Sequence, residues 1–469
     1  MASVSIAQAQ PAADGHAITP GSLPGTPEPR SVITPGPIDG RWSWWTRWIW
    51  PTHAQALAAS EAELLASLCS VPYTKQFIAG QNTLRFAAPY DGAPKLIMLH
   101  GYAAGSALYG GTIEHLSKHF EVYAVDWLGC GASERPAWTA KNLHEAESFF
   151  TDSLAVLKEH ISPGTPITML GHSMGGYLLA EYAQRHPDHV SHVILASPVG
   201  LPPPPEETGV DEALAGRQRS WIFRTLKSAW EGGTTPQALV RGVGPLGPGL
   251  TRRVIHARFS RTNMLVPADL DVMSKYMYHI SAAAGSGEHV LSAVLAPGAW
   301  AHHPMGLRLA DAARSGSMRM PVTFMYGGSH DWMNPKTGRA CAAMLREAGV
   351  DSTVELVEHS GHQLFLENPA GFAAAVLRRD ARVNPEHHRE PAAALTAADE
   401  LLALSRRQAQ AAYERAIAAA VAEQAARQGT PGAAPVQAAP TPTADEVVGP
   451  MDEALAVQAA RETAMQEAR

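Results

Sequence analysis

The sequence predicts an α/β fold, a mostly parallel sheet flanked by helices, with a helical cap inserted before the last two strands. Three observations carry that prediction. From residue 95 onward short apolar runs alternate with longer helical segments; one run ends in a Gly-x-Ser-x-Gly turn; and residues 200–320 separate the fourth run from the fifth.

The runs at 96–99, 122–125, 167–170, 190–196, 322–326 and 353–357 are rich in Leu, Ile, Val and Met, as strands covered on both faces must be. The segment 200–320 opens on the prolines at 202–205 and contains a Gly/Pro-rich stretch at 242–249. It also holds the cluster Tyr276-Met277-Tyr278-His279-Ile280 and shows no strand alternation. An insertion of that length is not a connecting loop, so 200–320 is assigned to a cap domain and 52–199 with 321–382 to the core.

Both ends differ from the core in composition. Residues 1–40 are rich in Pro, Gly, Ser and Thr and are expected to form a disordered leader. Residues 41–51 then place Trp42, Trp44, Trp45, Trp48 and Trp50, five of the chain's 11 tryptophans, beside Arg41 and Arg47. Indole prefers the membrane–water interface and arginine favours anionic head groups, so this segment is expected to lie on a lipid surface. Residues 383–469 form an Ala/Pro-rich tail: a long helix through 391–428, with Thr396 and Asp399 resembling a capping box, then a Pro-rich linker and a polar end that is helical or disordered.

Composition excludes several classes of function. With 45% hydrophobic residues the chain can build a sizeable core, and a net charge of -7 gives no global attraction to nucleic acid. Cys69, Cys130 and Cys341 fit neither a disulfide framework nor a CxxC metal site, which points to a reducing, cytoplasmic compartment. The first residues lack a secretory signal, and no run of about 18 apolar residues occurs, so the chain is expected to lie on a membrane and not to span it. The histidines scatter without ligand spacing, and neither metal nor cofactor is expected.

The chemistry concentrates at Gly171-His172-Ser173-Met174-Gly175-Gly176, which follows an apolar run and precedes a helical segment. A sharp strand-to-helix turn needs small residues at Gly171 and Gly175, and it exposes the Ser173 hydroxyl as a nucleophile at the carboxyl end of the sheet. Two rigid backbone donors must face the developing oxyanion. The His100-Gly101 turn after an earlier strand assigns them to the N–H groups of Tyr102 and Met174, with His100 buttressing its loop and Asp126 fixing a turn. The nucleophile needs a base and the base an acid, in the order Ser, acid, His. Asp331 follows the strand at 322–326, whereas Ser197-Pro198 after 190–196 offers no carboxylate. Glu358-His359-Ser360-Gly361-His362 offers two histidines, and the Gly before His362 lets that one turn back toward Ser173.

The stretches Gly-His-Ser-Met-Gly-Gly, His-Gly-Tyr, Asp126 to Ser133 and Tyr326 to Met333 together resemble the α/β-hydrolases acting on glycerophospholipids and lipid droplets. That group includes the comparative-gene-identification lipase co-activator, lysophospholipase relatives, and plant and fungal acylhydrolase or acyltransferase homologues. The resemblance covers about 41–380. It implies the α/β-hydrolase fold, a serine acyl hydrolase for phospholipid or lysophospholipid esters, and peripheral attachment to lipid droplets or intracellular membranes. The co-activator lacks the nucleophilic serine, and Ser173 here favours a catalytic member. The alternatives that the resemblance implies are activation of a partner lipase and acyl-CoA-dependent acylation of lysophosphatidic acid. The group's acyltransferase signature is His-x-x-x-x-Asp; here it reads His362 to Glu367, one methylene longer at the acid.

Overall fold

The computed structural model describes residues 52–202, 234–259, 267–296 and 300–428. The leader, the tryptophan segment 41–51 and the tail beyond 428 lie outside the described residues.

Among the described residues, eight strands build the main sheet: β1 (Thr74–Ile78), β2 (Gln81–Phe86), β3 (Lys95–Leu99), β4 (Glu121–Val125), β5 (Ile167–His172), β6 (Val190–Ala196), β9 (Val322–Gly327) and β10 (Ser352–Val357). A separate two-stranded ribbon, β7 (Leu295–Ala296) with β8 (Trp300–Ala301), comes between β6 and β9 in the chain. The order across the main sheet is β1-β2-β4-β3-β5-β6-β9-β10, and every pairing from β4 to β10 is parallel. The chain is therefore an α/β fold, as the alternating pattern predicts.

The antiparallel pair β1–β2 lies outside the strands that the sequence predicts. Four of the five residues of β1 are exposed, and β2 buries the polar Gln81, Asn82 and Thr83, so neither strand carries an apolar run. The side-chain amide nitrogens are partnered: Asn82 Nδ2 donates to Glu61 at 2.8 Å and to Asp126 at 2.9 Å, and Gln81 Nε2 donates to the Ser153 carbonyl at 3.0 Å. Leu96, Ile97, Met98 and Leu99 of β3 are wholly buried, each contributing roughly 1.5–3 kcal/mol through removal of apolar surface from water.

Helices cover both faces. Met174–Arg185 and Leu143–Ile161 pack together, while Pro369–Val383 packs on the long helix Pro391–Gln428. That helix starts at Pro391, so Thr396 lies inside it and bonds back to the Ala392 carbonyl at 3.1 Å; the capping box expected at Thr396 is not formed. Between β6 and β9 the described residues form the helices Pro236–Gly242, Gly247–Phe259, Pro267–Ala282 and Val290–Val294. Pro267–Ala282 packs on Gly247–Phe259 and on the N-terminal helix Ala54–Leu68, and Thr52 Oγ1 meets His279 Nδ1 at 2.8 Å. Met305–Ser315 instead packs on Pro335–Glu347 and Met174–Arg185, beside the sheet. Among the described residues, no helix is long and apolar enough to cross a membrane.

Candidate active site

β5 runs straight into the helix Met174–Arg185, and Ser173 at the junction adopts φ 54°, ψ -117°. A non-glycine residue holds that conformation only where its surroundings enforce it. They do so by sterics: a Cβ on Gly171 would lie 2.4 Å from the Gly175 carbonyl oxygen, and one on Gly175 would lie 2.4 Å from the His100 carbonyl oxygen. Ser173 N–H donates to Ala196 at 2.8 Å, which ties the turn to the end of β6.

Three strand ends converge on this turn. His362 Nε2 lies 3.2 Å from Ser173 Oγ, and His362 Nδ1 lies 3.0 Å from Asp331 Oδ1. Asp331 follows β9 and His362 follows β10, so the parallel order β5-β6-β9-β10 sets all three at one sheet edge. Ser173 and His362 are 8% and 3% exposed, leaving a nearly dry contact between hydroxyl and ring. Burial alone would raise the Asp331 carboxyl. Hydrogen bonds from His362, from Ser197 Oγ and from the N–H groups of Gly327 (3.0 Å) and Met333 (2.9 Å) outweigh it and hold the group below the ordinary carboxylate range. A fixed carboxylate of this kind orients the imidazole and stabilises its protonated form. His359, the other histidine of that segment, sits in the turn at φ 55°.

The loop after β3 abuts the same turn, because a Cβ on Gly101 would lie 3.0 Å from Ser173 Cβ. Tyr102 comes next, and its hydroxyl donates to Gln237 of the cap at 2.8 Å. Met174 is the first residue of its helix, so its N–H has no intrahelical acceptor. His100 is buried, with Nδ1 at 2.7 Å from the Gly101 carbonyl and Nε2 accepting from Trp127 N–H at 3.3 Å. Asp126 receives the N–H groups of Ser106 at 2.6 Å and Ala132 at 2.8 Å, so both side chains serve the loops beside the site.

Residues 94–230 match the family described as the alpha/beta hydrolase fold. The chain is 35% identical over 355 residues to a 1-acylglycerol-3-phosphate O-acyltransferase of Arabidopsis thaliana, covering 71% of this chain and 81% of that one. The protein is a member of the α/β-hydrolase family. It is also 31% identical over 327 residues to the human (lyso)-N-acylphosphatidylethanolamine lipase, covering 69% of this chain and 89% of the relative. Among α/β-hydrolases it thus falls with the glycerophospholipid acyltransferases and lipases.

Among the described residues, four further side chains of this α/β-hydrolase reach the site that the sequence alone does not assign to it. Ser197, just after β6, donates to Asp331 Oδ2 from the position where the sequence offers no carboxylate. His172 Nε2 donates to the His362 carbonyl at 2.8 Å. Trp332 stacks on the His362 ring at 4.7 Å between centroids and 10° between planes, while remaining 63% exposed. Arg258, from the cap, sits 5.0 Å from the Trp332 ring centre.

Glu367 is 2% exposed, and its carboxylate accepts from Gly361 N–H at 2.7 Å and Gln363 N–H at 3.3 Å. It brackets His362 on both sides along the chain. The acid of the acyltransferase-like spacing thereby acts on the loop that carries the histidine.

Proposed function

We propose that the protein is a serine acyl hydrolase for phospholipid or lysophospholipid esters, working at a lipid surface. The observation that carries this reading is the continuous hydrogen-bonded series Ser173–His362–Asp331 at the carboxyl edge of the sheet. Its lipid character is supported by relatives named for acylglycerol phosphate acylation and for lipase activity.

In this reading Ser173 Oγ attacks the ester carbonyl carbon while His362 Nε2 takes its proton. The negative charge on the former carbonyl oxygen is met by the N–H groups of Tyr102 and Met174, the second at a helix N-terminus where anions are favoured. The tetrahedral intermediate collapses, the C–O bond to the glycerol oxygen breaks, and His362 returns its proton to that oxygen. A water molecule then attacks the acyl-enzyme with His362 as base, releasing fatty acid and free Ser173. The indoles of Trp42, Trp44, Trp45, Trp48 and Trp50 hold the enzyme on the surface from which it draws substrate.

Product analysis with a radiolabelled lysophospholipid tests the reading. Wild-type protein releases free fatty acid and Ser173→Ala does not; equal release by both proteins refutes it.

The Arabidopsis relative favours a second reading, in which lysophosphatidic acid replaces water as the acceptor. The same acyl-enzyme serves both, and only the group that His362 deprotonates in the second step differs. Labelled phosphatidic acid formed at the expense of fatty acid, on adding lysophosphatidic acid, identifies that reading.

A further inference from the structure

Arg258 is the second-last residue of the cap helix Gly247–Phe259, and its guanidinium reaches the rim of the site. One face of the rim is Trp332, stacked on His362 and exposed; the guanidinium carbon lies 5.0 Å from the Trp332 ring centre. Among the described residues its hydrogen bond to the core is one long contact, Nη2 to Glu367 Oε1 at 3.3 Å, an ion pair at the same time, and its side chain is 25% exposed. A guanidinium carries five N–H donors, so this contact leaves a fork suited to a further anion. His330, 63% exposed at the side chain, stands beside it with Nε2 at 3.9 Å from Glu367 Oε2.

Two further arginines that bond to the cap, Arg135 of the core and Arg241, are committed. Arg135 gives hydrogen bonds to the carbonyls of Gly129, Gly131, Ile280 and Ala284. Arg241 is paired with Glu288 through contacts of 3.0 and 2.6 Å and also donates to the carbonyls of Ser281 and Ala283. Glu367 has partners besides Arg258, because two backbone N–H groups also hold its carboxylate.

We propose that Arg258, assisted by His330, receives the phosphate of a glycerophospholipid whose ester lies on Ser173, and so selects phosphate-bearing substrates over neutral acylglycerols. In such a lipid the acyl ester and the phosphate hang from one glycerol. A cation separated from the base His362 by one aromatic ring stands where the phosphate arrives when the ester carbonyl meets Ser173. This inference rests on the hydrolase reading and adds the head group to it.

The test uses full-length Ser173→Ala protein, which removes turnover, and compares binding of 1-octanoylglycerol 3-phosphate with binding of 1-octanoylglycerol. The phosphate ester binds more tightly, and adding Arg258→Gln reduces the ratio of the two affinities about tenfold, the worth of one charge-assisted contact. Arg258→Lys, which keeps the charge and loses the fork, gives an intermediate ratio. An unchanged ratio, including the case in which both affinities fall together because the cap has shifted, overturns the assignment. Strong competition by glycerol 3-phosphate overturns it as well, since the site would then serve a soluble phosphate ester. Failure of the hydrolase reading is read separately, as absence of fatty acid release by the wild-type enzyme.

Discussion

Ser197 Oγ donates a hydrogen bond to Asp331 Oδ2, although the two residues lie 134 positions apart in the chain. The sheet order explains the meeting, because β6 runs between β5, which ends at the serine turn, and β9, which leads to the acid. The residue after β6 therefore faces the acid directly, and Ser197 uses that place to fix the second carboxylate oxygen. Ser197→Ala is expected to lower kcat about tenfold with KM unchanged, because Asp331 keeps three other donors. Asp331→Asn is expected to lower kcat by about 10⁴, through loss of the tautomer that presents a bare Nε2 to Ser173. Steady-state kinetics on a soluble ester separate the two; equal losses would contradict the ranking.

His172 predicts a dependence of stability on pH. Burial, reinforced by the neighbouring His362, pushes its imidazole down to about 3 from the ordinary 6.5. Between those values the unfolded chain binds a proton at His172 that the folded chain does not, so stability falls as pH drops through that window. Asp380 has the same sign. Burial would raise its carboxyl, but hydrogen bonds from His192, His388 and Thr168 hold it well below the ordinary range, and its contribution is lost as pH falls toward its folded value. Denaturant midpoints measured across the acid range should decline for the wild type and decline less steeply in His172→Gln. A parallel decline in both proteins would remove His172 as a cause.

Glu367 predicts a shared loss in hydrolysis and acyl transfer. Its removal leaves the buried N–H of Gly361 and the partly buried N–H of Gln363 without their carboxylate, at a cost of about 1–3 kcal/mol. Because it holds the loop and not a substrate, Glu367→Ala should reduce fatty acid release and acyl transfer by the same factor. Selective loss of transfer would instead make Glu367 a group that meets the acyl acceptor.

The tryptophan segment predicts a separation of attachment from chemistry. Replacing Trp44, Trp45 and Trp48 together by alanine should move the protein from lipid droplets to the supernatant in flotation assays, while hydrolysis of a soluble ester persists. Unchanged flotation would contradict the interfacial role.

The parts of this protein legible in the sequence are those with local signatures. The inner parallel strands β3, β5, β6 and β9 are apolar runs because both of their faces are covered, and the turn at Ser173 carries the glycines that its backbone geometry demands. Asp331 and His362 are candidates through their order after successive strands. The pair β1–β2 escapes notice because it carries polar and exposed residues where a buried strand would be apolar. The contacts of Ser197, His172 and Arg258 escape for another reason. Each joins segments more than a hundred positions apart, at 134, 190 and 109, through one side chain, and no local periodicity encodes such a meeting. His172 also occupies a motif position where the turn sterics leave residue choice open.

The proposed reaction depends most on Ser173 as the nucleophile. A fluorophosphonate probe followed by peptide mass spectrometry measures this directly. The adduct is expected on the peptide containing Ser173 in the wild-type protein, weakened in His362→Ala and absent in Ser173→Ala. Undiminished labelling of Ser173→Ala, or an adduct mapped to another serine, would contradict it.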